Sequence, residues 1–353
     1  MRESPLDKRD IKSLTPEELT RELQGMGLPR FRGEQVFRWL HQRGARTFAE
    51  MTDLGKDLRA RLEEAYWIAW ADVEIKRVSK DGTVKYLFRL HDGEYVESVL
   101  MEYHHGTSIC ISTQVGCKMG CTFCATGQGG FARDLTPSEI LAQIQSAEAD
   151  SGRTVSNVVL MGMGEPLDNY RNVLRFLELV SHEKGRNIGM RHISLSTCGL
   201  VDQIYDLADR KLQLTLSVSL HAPNDAIRRQ TMPVARRWSM EELLKACRYY
   251  CDTTGRRISF EYAMIRGVND SDACARELAA RLRGMLAHVN LIPVNDVTGT
   301  GYEKTGIERQ KRFVSILESR GIPATVRRTL GSDIEASCGQ LRGRREGGQR
   351  HES

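Results

Sequence analysis

Nowhere in these 353 residues does an apolar run approach the roughly 18 residues that a membrane-spanning helix requires, and the opening MRESPLDKRD is charged where a secretion signal is apolar. Together these absences predict a cytoplasmic protein with no membrane partner. Low-complexity segments are also lacking. Charge of one sign is in slight excess only, +5 at neutral pH, which permits a nucleic-acid partner without requiring one. Nor can all the cysteines pair with one another. There are nine, and without a signal for export they read as free thiols and metal ligands rather than a disulfide framework. What is plentiful is apolar residue, 40% of the chain, enough to bury one large catalytic domain with a smaller appendage.

Residues 1–70 read as a helical accessory module. Thr15-Pro16-Glu17-Glu18 has the form of a capping box with proline in the first turn, followed by Leu19 and Leu23 on one face. Val36, Phe37 and Leu40 mark a second helix, and Leu54, Leu58 and Leu62 a third. Arg30, Arg32, Arg38, Arg43 and Arg46 run between them, so one face packs while the other is offered to nucleic acid. Further arginines recur in groups, among them Arg228/Arg229, Arg236/Arg237 and Arg327/Arg328, either as phosphate contacts or as plain surface charge.

Residues 71–105 alternate in polarity, and the turns Asp81-Gly82 and Asp92-Gly93 predict a small antiparallel connector sheet. From 106 to 341 short apolar strands such as SICIS, NVVLMG, HISLS, LTLSVSLH, ISFEYAMI and HVNLIP alternate with amphipathic helices, two of them opened by capping boxes at Thr136 and Ser239. Such repetition implies a parallel sheet with right-handed crossovers, as an open or closed barrel. The predicted fold class is therefore α/β, with a barrel-like catalytic region and an N-terminal helical domain. Residues 342–353, rich in glycine and arginine, read as a disordered tail.

Cys117-Lys-Met-Gly-Cys121-Thr-Phe-Cys124 carries the strongest chemical signal. Three thiolates at CxxxCxxC spacing wrap three corners of a cubane iron–sulfur cluster and leave the fourth iron open. An open iron can chelate the amino and carboxylate groups of S-adenosylmethionine (SAM). A zinc knuckle completed by His104 or His105 is the competing reading, but such knuckles space their ligands as CxxC pairs. Gly162-Met163-Gly164-Glu165-Pro166 follows the strand NVVLM and places a flexible turn and a carboxylate at a strand's carboxyl end, where β/α proteins bind ligands. Ser196, Ser219-Leu220-His221 and Asn295 end other strands on the same rim. Cys110 lies in a strand and Cys338 in a glycine-containing loop segment. As lone cysteines they would pass for a buried hydrophobe and an incidental thiol.

In the order QVGCKMGCTFCATG, VVLMGMGEP, SLSTCG, SLHAPND, GVND, HVNLIPVN and DIEASCGQL, the motifs from about Leu14 to Leu341 resemble the radical SAM adenine-C2 methyltransferases of 23S ribosomal RNA and transfer RNA. The resemblance implies a partial (β/α) barrel, a 4Fe-4S cluster on Cys117, Cys121 and Cys124, and SAM contacts from Gly164, Glu165, Ser196, Ser219, Leu220, His221 and Asn295. It also implies a low-potential one-electron donor and a monomeric chain. Cys338 matches the cysteine that becomes S-methylated, Cys110 its partner in a transient disulfide, and Glu97 the proton acceptor, against the alternative of an exposed strand carboxylate. Two thiols are needed because the C2 carbon of adenine is electron-poor. One SAM methylates the Cys338 thiolate, and a second serves to activate that methyl for addition to the base, after which Cys110 attacks the Cys338 sulfur and frees the RNA. A sister family methylates C8 of the same adenine; Pro166 and Leu291-Ile292-Pro293-Val294-Asn295 favour C2. Cys198 departs from the family's more usual small residue.

Overall fold

The computed structural model describes residues 8–104, 106–294, 301–327 and 330–334. The amino-terminal part holds β1 (Arg9–Asp10), α1 (Pro16–Gly25), α2 (Phe31–His41), α3 (Lys56–Ala65) and β2 (Tyr66–Trp67). Its first helix starts as its sequence dictates: the Thr15 hydroxyl accepts from Glu18 N–H, the Glu18 carboxylate accepts from Thr15 N–H, and Pro16 occupies the first turn. Leu19, Leu23, Val36, Phe37, Leu40, Leu54, Leu58 and Leu62 are buried in a core of their own, while Arg30, Arg38, Arg43 and Arg46 are exposed.

Four strands follow in a meander, β3 (Asp72–Val78), β4 (Val84–Arg89), β5 (Tyr95–Tyr103) and β6 (Gly106–Cys110). A short side ribbon, β7 (Gln114–Gly116) with β8 (Phe131–Asp134), brackets α4 (Ala125–Gln128). The alternating part runs α5 (Pro137–Ser151), β9 (Val155–Leu160), α6 (Tyr170–Ser181), β10 (Ile193–Thr197), α7 (Val201–Asp209) and β11 (Thr215–Ser219). It continues through α8 (Asp225–Thr231), α9 (Met240–Thr254), β12 (Ile258–Met264), α10 (Asp272–Leu282), β13 (Ala287–Pro293), α11 (Ile307–Glu318) and β14 (Ala324–Val326). The capping boxes at Thr136 and Ser239 both form.

All the larger strands join one sheet of 10, ordered β14-β13-β12-β11-β10-β9-β6-β5-β4-β3. From β6 to β14 neighbours are parallel, whereas β3, β4 and β5 pair antiparallel onto the β6 edge. The antiparallel strands expected between 71 and 105 thus continue the barrel sheet, because Val99 pairs with Cys110 and Tyr103 with Gly106 across the proposed boundary. One sheet face carries Ile109, Leu195, Leu216, Phe260 and Val289 against Ile140, Ile144, Phe176 and Leu278 of the helices. The other face lines the interior.

The helical module is clamped to this barrel. Leu179 of α6 enters the module's core, Gln145 Nε2 donates to the Leu40 carbonyl at 2.8 Å, and Arg175 makes two bonds to the Glu18 carboxylate, at 2.8 and 2.9 Å.

Candidate active site

At the carboxyl ends of the parallel strands lies a cavity of about 290 Å³, whose walls come from successive β/α units. The segment after β9 supplies Met161, Gly162, Gly164 and Glu165; Ser196 and Thr197 end β10 with Cys198 just beyond; Ser219 ends β11 with His221 two residues on; Arg327 follows β14. Cys117, Cys121 and Cys124 form the facing wall, on the loop between β7 and α4. Eight of the expected cluster and SAM ligands, Cys117, Cys121, Cys124, Gly164, Glu165, Ser196, Ser219 and His221, line this cavity.

The glycine turn is built for close approach. A Cβ on Gly162 would stand 2.5 Å from the Ile111 carbonyl, and one on Gly164 would stand 2.6 Å from Gln114 Cβ with φ at +102°. Only glycine meets both demands. The turn is then locked: Gly162 N–H donates to Ile111 C=O, Met163 N–H to Ser112 Oγ, and Glu165 N–H to Gln114 Oε1. Glu165 itself is buried, its carboxylate accepting from the Leu167 N–H at 3.0 Å and the Cys198 N–H at 2.7 Å. Burial raises its pKa against these bonds, so a cationic ligand would be welcome beside it.

His221 takes a left-handed backbone (φ 54°), unusual for a residue with a Cβ. Its Nδ1 accepts from the Ala263 N–H at 2.8 Å, which leaves Nε2 as the ring's N–H donor. Burial, with the nearby Arg228 charge, lowers its pKa to about 3, so the ring is neutral at physiological pH.

The three cysteines fit an iron–sulfur cluster. Burial, with the negative charge of Glu165 and Cys124, pushes the Cys117 thiol up to about 12, and Cys121 is raised by burial and by its two sister thiols. Three thiolates grouped in such surroundings need a strongly positive partner. Among the described residues no three His, Cys, Asp or Glu side chains converge as ligands of a single ion do; thiols bound to separate corners of a cubane need not. His104 is exposed and absent from the cavity wall.

Cys110 and Glu97 sit outside the cavity, on the inner sheet face. Cys110 is buried against Val99, Met101 and Met161, the last a cavity wall residue. Glu97, two residues before the cross-strand partner of Cys110, shares that face, on the order of 7–8 Å away diagonally by ordinary sheet geometry. It is not an exposed strand carboxylate: it is 2% exposed and pairs with the wholly buried Lys85 at 2.9 Å.

Other expectations need correcting. Leu220 does not line the cavity; its side chain belongs to the main core, its N–H donates to Glu261 C=O and its carbonyl accepts from Arg228. Arg228 is no phosphate contact, being wholly buried. Cys198 is buried with its pKa raised well above the usual value by desolvation, which makes it an unreactive thiol. Cys338, Asn295 and His105 lie outside the described residues. Sequence reasoning passed over Glu261 and Phe123 and read Arg327 only as a phosphate contact or surface charge; all three are cavity wall residues. A lone carboxylate within the apolar strand ISFEYAM was a usable signal for Glu261, which is held by Asn290 Nδ2 at 2.7 Å and Ser259 Oγ at 2.9 Å.

Known proteins place this architecture. Residues 111–277 match the Radical SAM superfamily, and residues 9–68 match the Ribosomal RNA large subunit methyltransferase N-terminal domain. A protein of Alkaliphilus oremlandii named "Probable dual-specificity RNA methyltransferase RlmN" is 53% identical over 96% of this chain and 98% of its own. The protein of the same name from Lachnospira eligens is 51% identical over 94% and 95%. The crystal structure of a radical SAM methyltransferase from Sphaerobacter thermophilus, 46% identical, superposes with a TM-score of 0.90 over 94% of this chain and 98% of that one. Enzymes of the superfamily use a 4Fe-4S cluster and SAM, and among the described residues no helix is long and apolar enough to cross a membrane. With this identity over nearly its whole length, the chain belongs to the RlmN family of radical SAM RNA methyltransferases.

Proposed function

We propose that this enzyme methylates the C2 carbon of an adenine in 23S ribosomal RNA and in transfer RNA, consuming two SAM per turnover and passing the methyl group through Cys338. The observation that carries the reading is the position of Cys110: it shares the inner sheet face with Glu97 and meets the cavity wall at Met161. A buried cysteine beside the cavity wall supports a role as the thiol that reacts with Cys338.

Cys117, Cys121 and Cys124 hold the cluster, which when bound supplies the electron for reductive cleavage of SAM. The glycine turn presents backbone groups and the Glu165 carboxylate toward the SAM amino group, while Ser196, Ser219 and the His221 Nε2–H give further polar contacts. Asn295 is assigned with them. Leu220 serves the frame, its main-chain groups being taken by Glu261 and Arg228. Glu97 accepts the proton lost from C2 while the odd-electron adduct also gives up one electron, which would return to the cluster that supplied it, and the pairing of Glu97 with Lys85 keeps a carboxylate in place inside the barrel. Cys110 then attacks the sulfur of Cys338: the disulfide forms as the S–CH2 bond to the base breaks, and the released carbon takes up a proton to become the methyl group of the free RNA. Pro166 and the sequence Leu291-Ile292-Pro293-Val294-Asn295 favour C2 over the C8 chemistry of the sister family.

The 1–70 module binds RNA through its exposed arginines, with Arg43 stacked on Trp39 at 4.2 Å and Arg46 on Trp70 at 4.1 Å. The two thiols give the decisive test. Cys110→Ala should accumulate RNA bound by a thioether to Cys338, stable to reductant and denaturant and removed only by nuclease, whereas Cys338→Ala should form neither methylated RNA nor adduct. Normal turnover by the Cys110 variant, or an adduct that persists in the Cys338 variant, would refute the scheme.

A further inference from the structure

Among the described residues the Arg228 guanidinium is bonded only to main-chain carbonyls. Arg228 lies on α8, whose start is capped by the Asn224 side chain, and it is wholly buried. Its Nε donates to the Leu220 carbonyl at 3.2 Å, and its Nη2 to the Cys198 carbonyl at 2.6 Å, with Ser219 C=O at 3.4 Å. Cys198 and Ser219 are walls of the cavity that holds the three cysteines. The guanidinium therefore sits directly behind that wall, and the far end of its helix is tied to the cysteine loop by Thr122 N–H donating to Thr231 C=O at 3.0 Å.

Three carbonyls leave its charge uncancelled. Among the described residues Nη1 is buried with no hydrogen-bond partner. Cys121 of the cysteine loop and the Asp225 carboxylate lie close enough to act electrostatically on it. A buried guanidinium in this condition is costly unless a negative charge lies near, and a folded protein seldom keeps one without such a partner.

We propose that Arg228 is the buried counter-charge of the iron–sulfur cluster, a positioning residue whose fixed guanidinium favours the reduced, more anionic cluster and so eases its one-electron reduction. The proposal rests on the reading that Cys117, Cys121 and Cys124 hold that cluster. The sign follows from electrostatics: reduction adds one negative charge to the cluster, and a nearby fixed cation in a low-dielectric wall stabilises that state more than the oxidised one. Lysine at 228 would keep the charge and lose the planar fork; glutamine would lose the charge.

The test is a redox titration of full-length protein carrying its cluster, as wild type, Arg228→Gln and Arg228→Lys. Dithionite supplies the electron, mediator dyes set the potential, and the reduced cluster is read by electron paramagnetic resonance; no bond in the protein forms or breaks. At a given potential Arg228→Gln should show a reduced-to-oxidised ratio about tenfold lower, equivalent to about 59 mV for one electron, while Arg228→Lys stays near wild type. Retention of the cluster by the lysine variant alone would support the same conclusion. Equal midpoints in all three proteins, equal shifts in both variants, or loss of the cluster from both would overturn it, the last two by showing that the fork to the carbonyls matters and the charge does not. A wild-type protein that takes up no iron and sulfide would instead remove the ligand assignment, and the proposal with it.

Discussion

Replacing Lys85 by methionine keeps a side chain of similar length but removes the cation 2.9 Å from the Glu97 carboxylate, in a place where the two residues are 0% and 2% exposed. A carboxylate deprived of such a partner inside the sheet costs about 3–5 kcal/mol. Unfolding a chain of this length at roughly 2.1 cal/mol/K per residue converts that loss into a melting point lower by about 4–7 °C. Glu97→Leu strands the lysine in the same way, whereas Lys85→Met with Glu97→Leu removes both charges and should recover most of the loss. Calorimetry on the four proteins closes the cycle, and a coupling of at least about 2 kcal/mol is expected. Losses that simply add within about 0.5 kcal/mol would refute the pairing as a coupled unit. The double variant also isolates chemistry from stability, since it should still cleave SAM yet fail to methylate RNA.

Anaerobically prepared protein should bind about four irons, consistent with a cubane, and each of Cys117→Ala, Cys121→Ala and Cys124→Ala should abolish this; stoichiometric zinc after incubation with iron and sulfide would sink the assignment. Gly164→Ala must place a Cβ 2.6 Å from Gln114 Cβ at a φ of +102°, and SAM affinity measured by calorimetric titration should fall at least about tenfold, about 1.4 kcal/mol, with unchanged affinity counting against the turn as a contact. Burial pushes the Glu139 carboxyl up, but bonds from His91 and Arg133 hold it at about 2, below the ordinary 4.5. Because the folded pKa is the lower one, its contribution is complete above the unfolded value and fades as pH falls from about 4.5 to 2, by up to roughly 3 kcal/mol. Glu139→Gln should therefore flatten the loss of urea stability between pH 5 and 3, and identical acid slopes in both proteins would contradict the argument.

Local chemistry was the legible part. Thr15, Thr136 and Ser239 cap their helices as their spacing to Glu18, Glu139 and Glu242 dictates, since a capping box needs only four residues. The CxxxCxxC thiols and the glycine turn were readable for the same reason. Reading failed where a side chain's meaning depended on what another strand set beside it. Leu220 stood in a motif with two cavity residues, but strand alternation turned it to the core. Arg228 looked like surface charge until the carbonyls of Leu220, Cys198 and Ser219 enclosed it.

The same division holds for the whole protein. The sequence by itself determined the helical module, the β/α alternation, the three thiols and the family, because periodicity, turn chemistry and ligand spacing are properties of contiguous residues. Tertiary structure alone decided that β5 and β6 carry the meander into the barrel sheet, that Lys85 faces Glu97, and that Glu261, Arg327 and Glu165 meet around one cavity. Those outcomes depend on register between strands far apart in the chain, where a shift of one residue would turn Lys85, Glu97 or Glu261 to the opposite face.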